Sequence, residues 1–90
     1  ETKINMKLPV IKQLTQFIED NDQDYLVETI EVLENLCEVS SLKDEELDVI
    51  AELISNMYGA LEVNQAIKNG ADKKTALNDF MKRVLGSIDK

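Results

Sequence analysis

The chain has 90 residues and a formal net charge of −8, which is enough for one domain with a single modest core. Hydrophobic residues make up 43 % of the chain but aromatic residues only 4 %, so the core must be mainly aliphatic, which favours packed helices over a β-sandwich. Thirteen acidic residues and one basic residue, Lys43, lie between Glu19 and Glu52, and because this surplus repels phosphate we expect no nucleic-acid partner.

The first helix is predicted to begin at Leu8-Pro9, because a proline in the first turn lacks only an N–H that would be unpaired there anyway. Its apolar residues recur at helical spacing: Val10, Ile11, Leu14, Phe17 and Ile18. The helix is expected to end between Asp20 and Asp22. We expect residues 1–7 to be an N-terminal tail or a cloning remnant, with Met6 as a candidate native start, and residues 8–90 to form a single helical domain.

The second helix is predicted from about Asp24 to Val39, where Ser40-Ser41 ends it. Six residues form a stripe that we expect to be buried: Leu26, Val27, Ile30, Leu33, Leu36 and Cys37. Four glutamates line its outer side: Glu28, Glu31, Glu34 and Glu38.

The third helix is predicted to begin at Ser41, an N-cap whose following acids suit the positive end of a helix. Its apolar residues alternate in steps of three and four: Leu47, Ile50, Ile54, Met57 and Leu61. The pattern continues to Ile67 and ends at Asn69-Gly70, which is typical of a left-handed C-cap.

The fourth helix is predicted to begin at Asp72 and to end at Gly86. Its apolar residues are Ala76, Leu77, Phe80, Met81, Val84 and Leu85. Because the connections are short, the chain is predicted to be all-α, an antiparallel bundle of about four helices.

The third helix is unusually long for such a bundle, roughly 40 Å at 1.5 Å per residue. It either bends at Gly59 or extends beyond its neighbours, and the second case leaves apolar surface that a homodimer would cover. A glycine inside a helix costs about 1 kcal/mol relative to alanine, so we expect Gly59 to serve close packing or a kink.

The segment DNDQDYLVETIE, Asp20 to Glu31, resembles a calcium-binding loop in its oxygen ligands. Candidate ligands fall at the first, third, fifth and twelfth positions: Asp20, Asp22, Asp24 and Glu31. The sixth position needs a left-handed turn and usually has glycine, but here it is Tyr25. We therefore prefer the interpretation that Asn21 or Asp22 caps the second helix, and keep divalent-cation binding as an alternative.

The single cysteine cannot form a disulfide within the chain, which predicts a reducing, cytoplasmic location. Cys37 falls on the apolar stripe beside acidic neighbours, whereas a reactive thiolate needs cationic ones. We expect a buried structural cysteine, with a redox thiol as the alternative.

Catalysis and cofactor binding are not expected. The chain has no histidine, and it contains no glycine-rich phosphate loop and no nucleophile with a matching base. It also has no apolar run near the ~20 residues of a membrane span, so no membrane partner is expected.

Four segments carry a resemblance to a known family: MKLPVIKQLTQFIEDND, ETIEVLENL, SLKDEELDVIAELISNMYGALEV and TALNDFMKRVLGSI. Over most of its length, from Met6 to Ile88, the chain resembles a small all-helical bacterial family, a domain of unknown function. The resemblance brings no established activity and no site residues. Proteins similar to it tend to be encoded near thioredoxin-like and peroxiredoxin proteins, which implies a redox-associated accessory role as an alternative.

These observations together predict a small non-catalytic cytoplasmic interaction or accessory protein that acts through its acidic helical surface and forms a homodimer. The predicted interaction surface consists of Glu31, Glu34, Glu38, Tyr58 and Gly59. The alternatives are a thiol-dependent redox accessory protein that uses Cys37 and a divalent-cation binder at Asp20 to Glu31.

Overall fold

The computed structural model describes the backbone of residues 6–88 and the side chains of residues 6–84. This part of the chain forms four helices and no strand: α1 (Leu8–Asp20), α2 (Asp24–Leu36), α3 (Asp44–Lys68) and α4 (Lys73–Ile88). The predicted all-α bundle is therefore confirmed. The expectation about residues 1–5 lies outside the described residues.

The two ends of α3 are stabilised by different local hydrogen bonds. At its start the Glu46 carboxylate accepts the backbone N–H of Lys43 at 2.9 Å, so the N-cap is Lys43 and not Ser41 as predicted. At its end Gly70 has a φ of +107°, which glycine adopts without steric cost. The N–H groups of Gly70 and Ala71 bond to carbonyls of the last turn at 3.0 Å each, which confirms the predicted left-handed C-cap.

The predicted ends of the second and fourth helices are wrong. Helix α2 ends at Leu36 rather than Val39, and the chain continues in turns up to α3. Helix α4 begins after Asp72, whose carboxylate accepts the Thr75 N–H at 3.2 Å, and it passes through Gly86 to Ile88. One glycine costs a helix only about 1 kcal/mol, which does not suffice to stop it.

Helix α3 contacts each of the other three helices, and α1 and α4 also pack on each other. Lys73 at the start of α4 bonds to Gln16 and Glu19 near the end of α1, so these two helices run in opposite directions. The core lies where α1 and α4 meet α3 and the start of α2: Ile11, Ile18, Leu26, Ala60, Val63, Ala76, Leu77 and Phe80.

Helix α2 runs antiparallel to α3. Near its start the Gln23 side chain accepts a hydrogen bond from Asn64 at 3.2 Å, and further along Glu34 bonds to Tyr58. These pairs place the beginning of α2 beside the second half of α3. Both Tyr58 and Asn64 lie beyond the midpoint of α3, and the connection after Leu36 then returns the chain to the start of α3, so α2 and α3 form a helical hairpin.

Gly59 lies at the closest approach of three helices. A Cβ atom at this position would be 3.0 Å from Cζ of Phe80 in α4 and 3.3 Å from Cδ1 of Ile11 in α1. Both neighbours are buried, so neither has space to move away. The prediction that Gly59 serves close packing agrees with this geometry, and α3 continues through it as one helix.

The N-terminal boundary predicted for the domain is two residues too late. Met6 is half-buried against the core, and the N–H of Lys7 donates to Oδ1 of the buried Asn56 at 3.0 Å. Residues 6 and 7 therefore pack with the helical domain rather than forming a tail.

The helices cover α3 unevenly. At 25 residues α3 is about 37 Å long, roughly twice the length of α1 and α2. The molecule is flattened, with principal dimensions of 44 × 35 × 17 Å. Contact with the start of α1 is made at Asn56, near the middle of α3, and both side-chain hydrogen bonds to α2 lie beyond it, at Tyr58 and Asn64.

We expect Gly59→Ala to destabilise the protein in spite of the better helix propensity of alanine. Overpacking of a filled core costs about 1–3 kcal/mol, whereas the propensity gain is about 1 kcal/mol. Urea unfolding would measure a net loss of about 1 kcal/mol. In a Phe80→Leu background the same substitution should become neutral or stabilising, and an equal loss in both backgrounds would contradict the close-packing explanation.

Candidate interaction surface

Nine large hydrophobic side chains are exposed among the described residues: Phe17, Tyr25, Val27, Val32, Leu36, Val39, Val49, Leu53 and Tyr58. All except Phe17 lie between Tyr25 and Tyr58, in the helical hairpin and its connection. A small protein exposes single apolar residues routinely, so the position of these residues relative to one another decides whether they form a surface.

On α3 two of the three exposed residues, Val49 and Leu53, continue a row that is buried further along the helix. Val49, Leu53, Asn56 and Ala60 follow one another in steps of four, three and four, which places them on one face. Asn56 and Ala60 are 2 % and 0 % exposed, whereas Val49 and Leu53 are 55 % and 42 % exposed. One apolar stripe is thus covered in its second half by the core and uncovered in its first half.

On α2 three of the four exposed residues face the same side of the hairpin, and Val27 is the exception. Tyr25, Val32 and Leu36 are spaced by seven and four residues and so form one row. The ring of Tyr25 meets Phe17 of α1 edge to face, with centroids 5.6 Å apart, which shows that this row lies on the side of α1. The uncovered row of α3 lies on that side too, because Asn56 in the same row bonds to the start of α1.

We call the uncovered part of these two rows the hairpin face, consisting of Val32, Leu36, Val49 and Leu53. A shallow groove of about 480 Å³ adjoins it at the start of α3. The groove is lined by Leu42, Glu45, Glu46, Val49 and Ile50. The hairpin face therefore combines apolar side chains with carboxylates at its edge.

Three residues of the stripe predicted to be buried on α2 are exposed. Val27 and Leu36 are 40 % and 43 % exposed, and Cys37, the residue after the last turn, is exposed as well. The prediction was wrong because it assumed that the stripe is covered along its full length. Burial is complete only at Leu26 and Ile30, near the start of the helix.

The predicted acidic surface lies on the opposite side of α2. Val27, Glu31, Glu34 and Glu38 follow in steps of four, three and four and form what we call the outer row. The Tyr58 hydroxyl donates to Oε2 of Glu34 at 3.2 Å. This bond and the negative charge of Glu34 raise the pKa of Tyr58 above its ordinary value of 10.0.

The structure brings together only some of the predicted interaction residues. Glu34 and Tyr58 are in contact, and Glu31 and Glu38 flank them on the outer row. Gly59 does not belong to an exposed surface, because it is buried against Phe80 and Ile11. Including it there was wrong, since the glycine makes space for two core side chains rather than for a partner.

The residues of the calcium-like segment are engaged in local structure. Asp20 is the last residue of α1 and accepts a hydrogen bond from Gln16 at 3.1 Å. Oδ1 of Asp22 accepts the N–H of Asp24, the first residue of α2, at 3.0 Å, but the N-cap is Gln23, so the prediction that Asn21 or Asp22 is the cap was wrong. Glu31 lies two turns along α2. Among the described residues, no group of three or more acidic or cysteine side chains is placed to hold a metal ion.

The sequence did not lead to a prediction of the hairpin face, although it contains part of the pattern that forms it. The spacing of Val49, Leu53, Ala60 and Val63 is visible in the chain and predicts an apolar row. The sequence does not indicate that α1 covers this row only from Asn56 onward. For the same reason Val32, on the solvent side of the predicted stripe of α2, gave no signal at all.

We expect the pKa of Tyr58 to fall when Glu34→Gln removes the neighbouring charge, measured by ultraviolet absorbance titration in a Tyr25→Phe background so that one tyrosine is observed. Glu31→Gln, which removes an equal charge one turn away, should leave the titration unchanged. Because folding raises this pKa, the stabilisation from the bond is present below pH 10 and is lost as the pH rises through the folded value. Equal effects of the two variants would contradict the assignment of the bond.

Among the described residues, no helix combines the length and the apolar character that a membrane span requires.

Comparison with known proteins gives one match. Neither the curated proteins nor the solved structures contain a match to the chain. A family model matches residues 6–89, which is nearly the whole chain, and the protein therefore belongs to the family of unknown function DUF6952.

Proposed function

We propose that this protein is a small non-catalytic interaction or accessory protein of the cytoplasm, and that its hairpin face is the surface that binds a partner. The observation that carries the proposal is the half-covered stripe of α3. In its second half the stripe is packed into the core, and in its first half Val49 and Leu53 are about half exposed. An apolar row that continues past its cover is typical of a surface that a second protein completes.

The fold itself supports this use of the hairpin. Val49 and Leu53 of the hairpin face lie in the first half of α3, whereas the buried residues of the α3 core lie in the second half, so this exposed pair is not needed to hold α1 and α4. Substitutions at exposed positions usually change stability by less than about 0.5 kcal/mol. The exposed residues of the hairpin are therefore free to serve binding at little cost to folding.

Self-association was predicted from the sequence, and it stays a prediction. The hairpin face is one surface on which a second copy would have to pack. Whether the partner is a second copy depends on the charges that surround the face.

A thiol-dependent role remains a second candidate, because Cys37 is exposed rather than buried. Exposure is a condition for a reactive thiol, although it is not sufficient, since reactivity also depends on cationic neighbours. Divalent-cation binding at Asp20 to Glu31 has no comparable observation in its favour.

We expect a photoreactive amino acid at position 32 to cross-link the protein to a discrete partner in cells that express it natively. The double variant Val49→Ser/Leu53→Ser should abolish this product while changing the free energy of unfolding by less than about 1 kcal/mol. The same photoreactive residue at position 27, on the outer row, serves as the control. The proposal fails if position 32 yields no product beyond that control.

The redox alternative predicts that Cys37 reacts with iodoacetamide at neutral pH at least about tenfold faster than free glutathione, as an activated thiolate would. We expect instead a rate close to that of glutathione, because the adjacent residues supply no cation. Mass spectrometry of the alkylated protein measures the rate, and denatured protein gives the reference rate for the same thiol. A strongly accelerated reaction in the folded protein would favour the redox role.

A further inference from the structure

We infer that the partner of the hairpin face is an amphipathic helix of another protein that carries lysine or arginine beside its apolar side chains. This inference rests on the proposed function, since it names the occupant of the same surface. Three observations carry it: the charge around the face, the way α1 covers the stripe, and the separation of apolar and cationic surface within this chain.

Carboxylates surround the hairpin face on α3. Glu45 lies four residues before Val49 and Glu52 three residues after it, so both fall on the same side of the helix. Asp48 precedes Val49 directly. No ion-pair partner of Glu45 or Asp48 is present in residues 6–84. A helix that lies on Val49 and Leu53 would therefore bring its flanking side chains next to unpaired negative charge.

Helix α1 already shows how this surface is covered. Where the cover begins, the backbone of Lys7 bonds to Asn56 and its ammonium group lies 3.9 Å from the Glu52 carboxylate. The segment of this protein that covers the stripe, Met6 and Lys7, thus combines apolar packing with a cation beside a carboxylate at the edge of the stripe, Glu52. A partner that extends the cover toward the start of α3 meets Glu45 and Asp48 in the same way and is favoured by the same charges.

A second copy of this chain does not offer matching chemistry. Its exposed large hydrophobic residues, apart from Phe17, all lie in the hairpin and its connection, where ten acidic residues and one basic residue occur between Asp24 and Glu52. Its cations cluster elsewhere, on α1 and α4, and are chiefly Lys12, Lys73, Lys74, Lys82 and Arg83. Two copies that joined their hairpin faces would bring like charges together, which opposes association.

The size of the face limits the length of the partner. The uncovered part of α3 from Asp44 to Leu53 is about 15 Å long, which is the length of about three helical turns. A partner helix would present two or three apolar side chains at spacings of three, four and seven residues. Such a contact is small for a protein interface, so the complex is expected to be transient and sensitive to salt.

The test measures binding of three labelled peptides of about 15 residues by fluorescence anisotropy. The first has leucines along one face of a helix and lysines beside them. The second replaces its lysines by glutamates, and the third has the composition of the first in an order without a helical face. We expect the first to bind at least about tenfold more tightly than either of the others, and to weaken when the salt concentration rises from about 0.05 M to 0.5 M.

Matched variants of the protein distinguish peptide binding at the hairpin face from nonspecific electrostatic attraction to the acidic protein. Glu45→Gln/Asp48→Asn and Glu31→Gln/Glu38→Gln each remove two negative charges, but only the first pair adjoins the hairpin face. We expect the first pair to weaken binding of the cationic peptide at least about fivefold and the second pair to weaken it less than about twofold. Leu53→Ser should weaken binding in the same way, and Val27→Ser on the outer row should not. Circular dichroism verifies that every variant is folded.

The outcomes distinguish this inference from the proposed function. Equal weakening by the two charge pairs, or equal binding of the cationic and acidic peptides, overturns the inference. No binding of the cationic peptide overturns it too. If sedimentation detects a dimer at micromolar concentration that Leu53→Ser dissociates, the occupant is a second copy, which overturns the inference but supports the interaction role. The proposed function fails separately, by absence of the cross-linked product at position 32.

Discussion

The close approach of α1 and α4 to α3 at Gly59 determines where the core of this protein lies. Because a Cβ atom there would be only 3.0 Å from Phe80, any other residue type would push the aromatic ring away from the backbone of α3. With Phe80 and Ile11 in contact with this glycine, the described core is built on the second half of α3, at Ala60 and Val63.

The rest of the architecture follows from this off-centre core. Helix α2 pairs with α3 along the hairpin but is fully buried only near its start, at Leu26 and Ile30. Polar groups inside the core are paired: Thr15 donates to the carbonyl of Ile11, and Asn56 binds the backbone of both Lys7 and Glu52. Asn56 also marks the transition, because the stripe of α3 is covered beyond it and uncovered before it.

The functional proposals depend on the difference between the two ends of the molecule. At one end apolar side chains fill the core and cations lie on the outer surfaces of α1 and α4. At the other end, apolar side chains and carboxylates share the hairpin. A partner helix with cations beside its leucines would complete the stripe of α3 and neutralise its rim, extending what Met6 and Lys7 do at the edge of the cover. The outer row differs, because Glu34 there is already bonded to Tyr58.

Local patterns predicted most of the fold correctly. Helical spacing, Pro9 in the first turn and Gly70 after α3 are signals within a few residues, and they located four helices with small errors at their ends. The errors at helix ends occurred where a second local signal competed with the predicted one, or where the predicted helix-ending effect was too small. Ser41 was a plausible cap, but Lys43 has Glu46 three residues later, and Gly86 stayed helical because its cost is small.

The sequence by itself determined the fold class, the number of helices, the acidic character of the hairpin and the special role of Gly59. These depend on spacing and composition, which are properties of neighbouring residues. Only the tertiary structure decided that Cys37, Leu36, Val49 and Leu53 are exposed. The reason is physical: an apolar stripe indicates a face that can be buried, but its burial depends on how far another helix reaches along it.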